Sequence, residues 1–517
     1  MGSQNISIEA PQRKSPQKMS SVKFKAIFIT LIASITLAWT FMTPFGEVAD
    51  EPGYAIYANV VASGQEFGTV VVPSYIANAG YAHCISNTLS AKCQSNLPKD
   101  FSNAKKIKIT EDLIFNNGGP EPYFWVVGQP SRVFSGFLAF YLMRLFAWIL
   151  GMTLMALMII FWPILHRASL VFATLLVLTP MVGSFFGAIN PNGFEMVSGF
   201  ALAGLLSALM LKSSSEDYSL RDSAPHLGAI FIAMMALSVA KPYSFLFTLL
   251  ISFSFLITFG VVSLNKKWSS ISTRTTGYNR PVFLWLAGSL VLSVLVGYES
   301  NVNYMRTVAR KGTPEVVMSL SSSTREILSS FTNYALELIG HFGWRTHFPP
   351  TFVVILWAAA LVSFVIYVFT RMVFSYKVLF IGFLVSVFLV VPVFSLQALG
   401  LLGGAGFQTR YIGAIFCSIP FIAIAYLILS NRPFEVSPAA KLTPALICCF
   451  FILQIFTLGQ SFIFYSTPGG QLFDSVPIFD WIPNYWVVTV LALLGFLMTS
   501  MALYKQLRES NRTVVPV

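Results

Sequence analysis

Charged residues are scarce in this chain of 517 residues. Asp, Glu, Lys and Arg together make up 10% of it, whereas a soluble globular protein carries about 25%. This deficit excludes an ordinary soluble enzyme. The hydrophobic content of 55% also excludes a disordered chain, because such chains are poor in apolar residues. The composition therefore indicates a membrane protein that crosses the bilayer several times.

Cysteine and histidine are scarce as well, with five residues of each. The sequence has no His-Cys spacing typical of zinc sites, no Gly-rich phosphate loop and no convincing internal repeat. These absences argue against a metal-cluster protein and a nucleotide-driven pump. Lys and Arg exceed Asp and Glu by 33 to 21, and in a membrane protein this excess indicates topology rather than nucleic-acid binding.

Long apolar runs are what the chain has in abundance. A spanning helix needs roughly 20 mostly apolar residues, and about twelve segments qualify. They lie near 26–44, 136–163, 168–188, 194–211, 226–240, 242–263, 281–299, 351–370, 378–397, 411–430, 442–463 and 485–504. The fifth and sixth are separated only by Lys241-Pro242, which predicts a tight turn at the outer surface. The predicted fold is an all-α polytopic membrane protein with about twelve transmembrane helices.

Basic residues alternate along this map in the way that the positive-inside rule requires. Lys and Arg recur in every second connection, and the N-terminal tail carries Arg13, Lys14, Lys18, Lys23 and Lys25. We therefore expect both termini to lie in the cytoplasm. Two outer loops are long, at about 45–135 and about 300–350, and long loops usually carry function.

Cys84 and Cys93 both lie in the first long outer loop. Disulfides persist outside the cytoplasm, so a bridge between these residues is one interpretation, and two free thiols are the other. The three remaining cysteines lie in apolar segments, where packing accounts for them.

An acidic pair, Asp50-Glu51, follows shortly after the first apolar segment. Pro52 favours an extended residue before it and a helix start after it, which predicts a short helix at about 53–63. A carboxylate at this helix N-terminus, close to the membrane surface, can act as a general base or bind a cation. Simple capping of the helix by the acidic pair is the alternative.

Five short sequence elements, in order, resemble those of a bacterial membrane-protein family, the domain of unknown function numbered 2142. They are Ala49-Asp50-Glu51-Pro52, Pro120-Glu121-Pro122-Tyr123-Phe124-Trp125, Asn190-Pro191-Asn192-Gly193, Gly343-Trp344-Arg345-Thr346 and Gln408-Thr409-Arg410-Tyr411. The chain departs from the family pattern where Glu121 replaces a proline, Arg345-Thr346 replaces Leu-Asp, and Gly53-Tyr54 stands in place of a histidine. The position of the acidic pair also resembles the GT-C superfamily of membrane glycosyltransferases.

The resemblance implies a GT-C-like catalytic module at about 26–430. Such enzymes move a hexosyl or pentosyl group from a polyprenyl-phosphate donor to an envelope glycan or glycoconjugate. They work at the outer face of the cytoplasmic membrane, where nucleotide sugars are absent. An inverting course is implied, because a single base predicts one displacement. Residues 1–25 and 505–517 are then cytoplasmic tails, and 431–504 contributes C-terminal helices.

In this scheme Asp50 is the predicted general base. Glu51 is the second choice, and it would orient Asp50 or help to hold a divalent cation. The use of a metal stays open, because members of the superfamily differ in it. The leaving lipid phosphate calls for cationic partners, so donor-phosphate contacts are predicted for Arg410, with Lys241 and Gln408 in support.

Arg410 lies at the outer end of the tenth apolar segment and departs from the positive-inside pattern. A charge at that depth is a functional hypothesis by default. The alternative for Arg410 is that it snorkels to the lipid headgroups, and for Lys241 it is interface anchoring. Arg144 lies within the second apolar segment, so we expect it to face the interior and pair with an acid.

Sugar or acceptor contacts are predicted for a further set of residues: Tyr123, Asn190, Asn192, His341, Trp344, Arg345 and Tyr411. Interface anchoring by Trp and Arg and helix capping by Asn are the alternatives. The competing functions are a transporter or flippase for a lipid-linked or small solute, and a non-catalytic scaffold. No pair of broken helices stands in matching positions of two halves, which argues against a transporter.

Overall fold

A computed structural model describes residues 17–43, 48–65, 69–77, 106–109, 121–213, 220–264, 280–309, 319–340, 348–401, 408–430, 438–466 and 485–513. The first helices are α1 (Gln17–Met42), α2 (Glu51–Ser63), α3 (Ser74–Ala77), α4 (Glu121–Gly128), α5 (Pro130–Val133), α6 (Gly136–Phe161), α7 (Arg167–Val177), α8 (Pro180–Phe186), α9 (Pro191–Ser213), α10 (Leu220–Ser238) and α11 (Ser244–Leu264). The later ones are α12 (Arg280–Ala309), α13 (Leu320–Ser329), α14 (Phe331–Glu337), α15 (Thr351–Arg371), α16 (Phe374–Val385), α17 (Val391–Leu401), α18 (Gly413–Leu429), α19 (Pro438–Ser466) and α20 (Tyr485–Thr513).

Three shorter turns complete this list. Two are 3-10 turns, at Ile164–His166 and at Thr409–Ile412, and the second leads directly into α18. A π-helical turn at Ser386–Val390 joins α16 to α17. In the long connection between α1 and α6, β1 (Val70–Pro73) and β2 (Lys106–Ile109) form an antiparallel pair in which Val70 faces Ile109.

Among the described residues, eight helices are long and apolar enough to span a membrane, or nine if one sharply bent pair counts as a single span. These nine match nine of the predicted segments. The other three predicted segments are helical but shorter as described: Ser223–Ser238, Ser244–Ile257 and Ala492–Lys505. The structure therefore confirms an all-α polytopic membrane protein, whereas the count of twelve spanning helices stays a prediction.

The third predicted segment, 168–188, is not one continuous helix. It bends by 85° between α7 and α8. Pro180 lacks an N–H group and disfavours a helical conformation at Thr179, which explains the position of the break. The interrupted backbone is satisfied by other parts of the chain. Gln454 donates to the Leu178 carbonyl at 3.0 Å, and the Met181 N–H donates to the Ile339 carbonyl at 3.2 Å.

Helix α9 forms the centre of the bundle and packs against α6, α10 and α18. In α9, Gly199 permits close approach to α18, because a Cβ atom at that position would lie 2.6 Å from the Ala414 carbonyl oxygen. Small residues at such contacts are typical of helix packing in membranes, where lipid is as apolar as the side chains. Helix α1 packs against α6 and α20 along the side of this core.

Part of the long connection between α1 and α6 packs as short helices on the same bundle. Helix α2 is almost entirely buried and packs against α4. Gly128 makes this contact possible, since a Cβ atom there would lie 2.0 Å from the Ala58 carbonyl oxygen. The predicted helix at about 53–63 therefore exists, and it begins two residues earlier, at Glu51.

Several predictions concern residues outside the described ranges. Cys84 and Cys93 lie in one such stretch, and His341, Trp344 and Arg345 lie in another. The disulfide and the stacking or anchoring role of these residues stay predictions, as do the domain boundaries.

Candidate functional site

Residues from four predicted connections meet at one end of the helix bundle. The turn between α1 and α2 carries Asp50, and the turn between α8 and α9 carries Asn190. The turn between α10 and α11 carries Lys241, and the 3-10 turn before α18 carries Arg410. Because alternate helix ends point the same way, these four connections converge although hundreds of residues separate them along the chain.

Asp50 ends the turn that leads into α2. Its backbone is left-handed, with φ of 63°, a conformation that Asp tolerates better than most residues. The Asp50 carbonyl accepts the Tyr54 N–H at 3.1 Å, which starts the helix. The side chain does not cap the helix. It forms an ion pair with Arg410 instead and keeps 15% of its surface exposed.

Glu51 has a different environment from its neighbour. Its side chain is fully buried, and Arg144 on α6 binds both carboxylate oxygens, with 2.8 Å between Nε and Oε1. The backbone N–H of Ile189 donates to the same carboxylate at 3.0 Å. Arg144 also donates to the carbonyls of Thr40 and Thr43 at the end of α1. The acid partner that Arg144 requires is therefore Glu51, and the pair joins α1, α2, α6 and the turn before α9.

Asn190 and Asn192 form the corner before α9, and both are fully buried. The Asn190 Oδ1 atom accepts the Asn192 backbone N–H at 2.9 Å, which is the hydrogen bond of a helix N-cap. It also accepts the Asn192 side-chain amide at 2.7 Å, and Asn190 donates to the Ala49 carbonyl at 2.7 Å. Of the two roles predicted for Asn190, the structure therefore shows the cap. Gly193 completes the corner, because a Cβ atom there would lie 2.0 Å from the Phe185 carbonyl oxygen.

Lys241 reaches this corner from the turn between α10 and α11, as the sequence predicts for Lys241-Pro242. Its ammonium donates to Asn192 Oδ1 at 2.6 Å and lies 3.9 Å from the Glu195 carboxylate. It also lies 4.5 Å from the centre of the Tyr411 ring, a cation–π contact. Burial lowers the pKa of Lys241, and the nearby Glu195 opposes that change.

Arg410 is buried at the start of α18, where it pairs with Asp50. The centre of its guanidinium lies 5.5 Å from the centre of the Tyr411 ring, so Tyr411 contacts both cations. The Nε atom of Arg410 is buried without a hydrogen-bond partner among the described residues. The preceding Thr409 donates to Glu337 at 3.1 Å, which attaches α14 to this turn.

Tyr123 and Gln408 are the remaining predicted site residues that the structure describes. Tyr123 is buried, stacks on Phe194 with 5.1 Å between ring centres, and donates to the Ala188 carbonyl at 3.4 Å. Burial raises its pKa. Gln408 is half-buried, and its backbone carbonyl accepts the Tyr411 N–H at 3.0 Å. Tyr123 thus packs the corner before α9, and Gln408 shapes the turn around Arg410.

The sequence analysis missed one charged residue of the site, Glu195. It lies in α9, three residues after Asn192, so both side chains share one face of the helix. Glu195 accepts a hydrogen bond from Ser244, the first residue of α11. An acid inside an apolar segment is itself a functional signal, and that signal could have identified Glu195 as it did Arg144.

We name Asp50, Arg410, Lys241, Glu195 and Asn192 the ion-pair cluster. It contains two carboxylates and two cations, so its formal charges balance. No group of three or more His, Cys, Asp or Glu side chains that could hold a metal occurs in the described ranges. Asp50 and Glu51 each face an arginine, and the divalent cation near them stays a prediction.

Comparison with protein families identifies the chain. The family described as "Predicted membrane protein (DUF2142)" matches residues 34–419. This range includes the whole ion-pair cluster and the Glu51–Arg144 pair. No curated protein and no solved structure matches. The chain belongs to the DUF2142 family of predicted membrane proteins.

Proposed function

We propose that this protein is a membrane glycosyltransferase. It moves a sugar from a polyprenyl-phosphate donor to an envelope glycan or glycoconjugate at the extracytoplasmic face of the cytoplasmic membrane. The observation that carries this proposal is the contact between Asp50 and Arg410, with Lys241 beside them. One partly exposed carboxylate and two cations at the end of a helix bundle are the groups that the reaction needs.

The proposed chemistry assigns roles to Asp50, Arg410 and Lys241. Asp50 takes the proton of the acceptor hydroxyl, and the resulting oxygen attacks the anomeric carbon. The bond between that carbon and the phosphate oxygen breaks, and its electron pair leaves with the polyprenyl phosphate. The phosphate changes from a singly charged diester to a doubly charged monoester. Arg410 and Lys241 stabilise the charge that develops, which is the electrostatic part of catalysis.

The ion pair between Asp50 and Arg410 links donor binding to the release of the Asp50 carboxylate, which is the proposed base. A phosphate that reaches the guanidinium competes with the Asp50 carboxylate for it. Donor binding thereby releases Asp50 toward the acceptor. The buried Nε atom of Arg410, which has no hydrogen-bond partner in the described part of the chain, supplies a further donor for such a ligand.

We assign a structural role to Glu51. Its carboxylate is buried and already accepts hydrogen bonds from Arg144 and from the Ile189 backbone. Removing a proton from an acceptor would require breaking a buried ion pair, which typically costs about 3–5 kcal/mol. Asp50 is therefore the single base in the proposal, and the inverting course follows from that.

The test is an analysis of envelope glycans and lipid-linked sugars in cells that carry wild type, Asp50→Asn or a deletion. Protein levels in the membrane are matched. We expect Asp50→Asn to lose about 10²–10⁴-fold in transfer, because a general base contributes that much. Polyprenyl-phosphate sugar should accumulate and one glycan residue should be missing. Glu326→Gln, an exposed acid on α13, is the matched control and should behave as wild type.

The competing function is a transporter or flippase. The observation in its favour is the broken span between α7 and α8, because transporters form their binding sites from discontinuous helices. The interrupted backbone of this span is bonded to Gln454 and to the segment at 338–339, rather than being directed at the ion-pair cluster. If Asp50→Asn matches wild type while the deletion changes the envelope, the transferase proposal is wrong, and transport or a scaffold role takes its place.

A further inference from the structure

The pair of Glu195 and Lys241 is a second ionic contact in the cluster, and the proposed reaction assigns no task to its acid. Glu195 lies in a spanning helix, and 1% of its side chain is exposed. One carboxylate oxygen accepts the Ser244 hydroxyl. The other is buried without a hydrogen bond within the described ranges and lies 3.9 Å from the Lys241 ammonium. A buried carboxylate of this kind is costly unless its charge serves a partner.

The neighbours of Lys241 direct its ammonium. Asn192 and Glu195 approach it from α9, and Tyr411 presents its ring face from the start of α18. Arg410 and Asp50 also act on it electrostatically, the first disfavouring and the second favouring its charged form. The Lys241 side chain keeps 15% of its surface exposed.

A lysine in this position can lose its charge, whereas an arginine does not. Arg410 stays protonated wherever it is placed, whereas a desolvated lysine readily loses its proton. Burial and the neighbouring guanidinium both act in that direction on Lys241. A neutral amine would not attract a phosphate. The cluster therefore needs a group that keeps Lys241 charged, and Glu195 is the acid in contact with it.

We propose that Glu195 is a positioning residue that holds the Lys241 ammonium charged and directed at the donor phosphate. This inference rests on the proposed function, because it assumes a phosphate ligand beside Arg410. It adds that the affinity for the lipid phosphate depends on Glu195, an acid in α9 that does not touch the ligand.

The test measures binding of a probe rather than turnover. The probe is radiolabelled methyl geranylgeranyl phosphate, a diester like the donor, whose single charge does not titrate near neutrality. The purified full chain is placed in phosphatidylcholine nanodiscs, and Kd is measured from about pH 6 to about pH 9, a range below the ordinary lysine pKa. Geranylgeraniol, which lacks the phosphate, measures the contribution of the apolar chain alone.

Wild type should bind the diester with little change across this range. Glu195→Gln should bind it about tenfold more weakly at the alkaline end, which is the loss of one close charge contact. Its affinity should recover at the acid end. The sign follows from linkage: without Glu195 the pKa of Lys241 falls further, so the ammonium loses its proton at lower pH. Ser244→Ala should shift the profile in the same direction by less.

The decisive variant adds Lys241→Arg to Glu195→Gln. A guanidinium stays charged throughout the range, so the double variant should bind the diester independently of pH. Lys241→Arg alone and the exposed-acid variant Glu326→Gln are the controls.

Three results would each contradict the role of Glu195 or the proposed function. If Glu195→Gln binds like wild type at every pH, Glu195 does not act on Lys241, and the proposed function stands. If the variant binds weakly at every pH and arginine does not change its profile, Glu195 is merely structural. If wild type binds the diester no better than the alcohol, the proposed function fails, and the inference fails with it.

Discussion

Two pairs of helices in this protein are both strongly apolar in sequence but occupy opposite environments. The inner pair, α9 and α18, cross in the middle of the bundle, where 94% and 89% of their apolar windows are buried. In the peripheral pair, which is α15 and the span Phe374–Gln397 that begins with α16, only 28% of each corresponding window is buried. The inner pair contains or adjoins Glu195 and Arg410, whereas basic residues of the peripheral pair lie near helix ends.

The contrast shows which features place a helix in the interior of a membrane protein. Apolarity does not distinguish the two pairs, because lipid and protein interior are equally apolar. Small residues and hydrogen bonds distinguish them. Gly199 lies against Ala414 between α9 and α18, and the Ser207 hydroxyl on α9 contacts the Phe421 carbonyl on α18 at 3.0 Å. Gly382 on α16 has no atom within 4 Å of the position of its absent Cβ.

Breaking the buried ion pair beside the inner helices should have the largest effect. Arg144→Met leaves Glu51 charged and unpaired, and the free energy of unfolding should fall by about 3–5 kcal/mol. Chemical denaturation in mixed detergent–lipid micelles measures it. Arg371→Met, at an exposed arginine that ends α15 and lies 5.6 Å from the Tyr367 ring, should cost at most about 1 kcal/mol.

A double-mutant cycle sharpens this prediction. Adding Glu51→Gln to Arg144→Met removes the unpaired charge and should recover part of the lost stability. If the two single variants are additive, the pair is not coupled as its geometry indicates. If Arg144→Met and Arg371→Met cost the same, the distinction between interior and periphery is wrong.

Replacing a closely packed glycine with valine should give the second-largest loss of stability. Gly199→Val places atoms where the Ala414 backbone lies, so α9 and α18 must separate, and the free energy of unfolding should fall by about 1–3 kcal/mol or more. Gly382→Val enters open space and should change it by less than about 0.5 kcal/mol. Denaturation of both variants under the same conditions checks the contrast, and equal losses would contradict it.

Removing one hydroxyl should give the smallest effect. Ser207→Ala deletes a contact between α9 and α18, and hydrogen bonds between membrane helices contribute about 0.6 kcal/mol on average. Ser386→Ala removes a hydroxyl that bonds only to Gly382 within its own helix among the contacts described, and it should be nearly neutral. A loss for Ser386→Ala that exceeds the loss for Ser207→Ala would show that these polar contacts do not define the inner pair.

Some residues of the site could be found from the sequence because their chemistry conflicts with their surroundings. The sequence places Arg410 at the predicted outer end of an apolar segment and Arg144 within one. Both positions are energetically costly for a charge, which identifies the two residues as candidates. The sequence required an acid for Arg144, and the structure identifies it as Glu51. The sequence favoured Asp50 over Glu51 as the base, but it could not assign a partner to either carboxylate. Their different partners follow from the left-handed turn at Asp50, which directs the two side chains to different helices.

Two other features were missed, one despite a readable sequence signal and one because it depends on a distant part of the chain. Glu195 was overlooked, although the rule that identified Arg144 applies to it equally. The break before Pro180 was overlooked because spanning helices often tolerate proline when neighbours satisfy the freed backbone. Here the neighbour is Gln454, which is far away in the chain, and its donation to Leu178 could not have been anticipated.

The sequence by itself determined that the chain is an all-α membrane protein and that its charged motifs fall at the ends of apolar segments. Both properties follow from local composition, because the cost of polar groups in lipid is set residue by residue. Only the tertiary structure decided which acid meets which base. Asp50 and Arg410 are 360 residues apart in sequence, and a carboxylate and a guanidinium pair only at hydrogen-bond distance. That distance is set by the packing of α9 against α18 and of α8 against both α9 and α1.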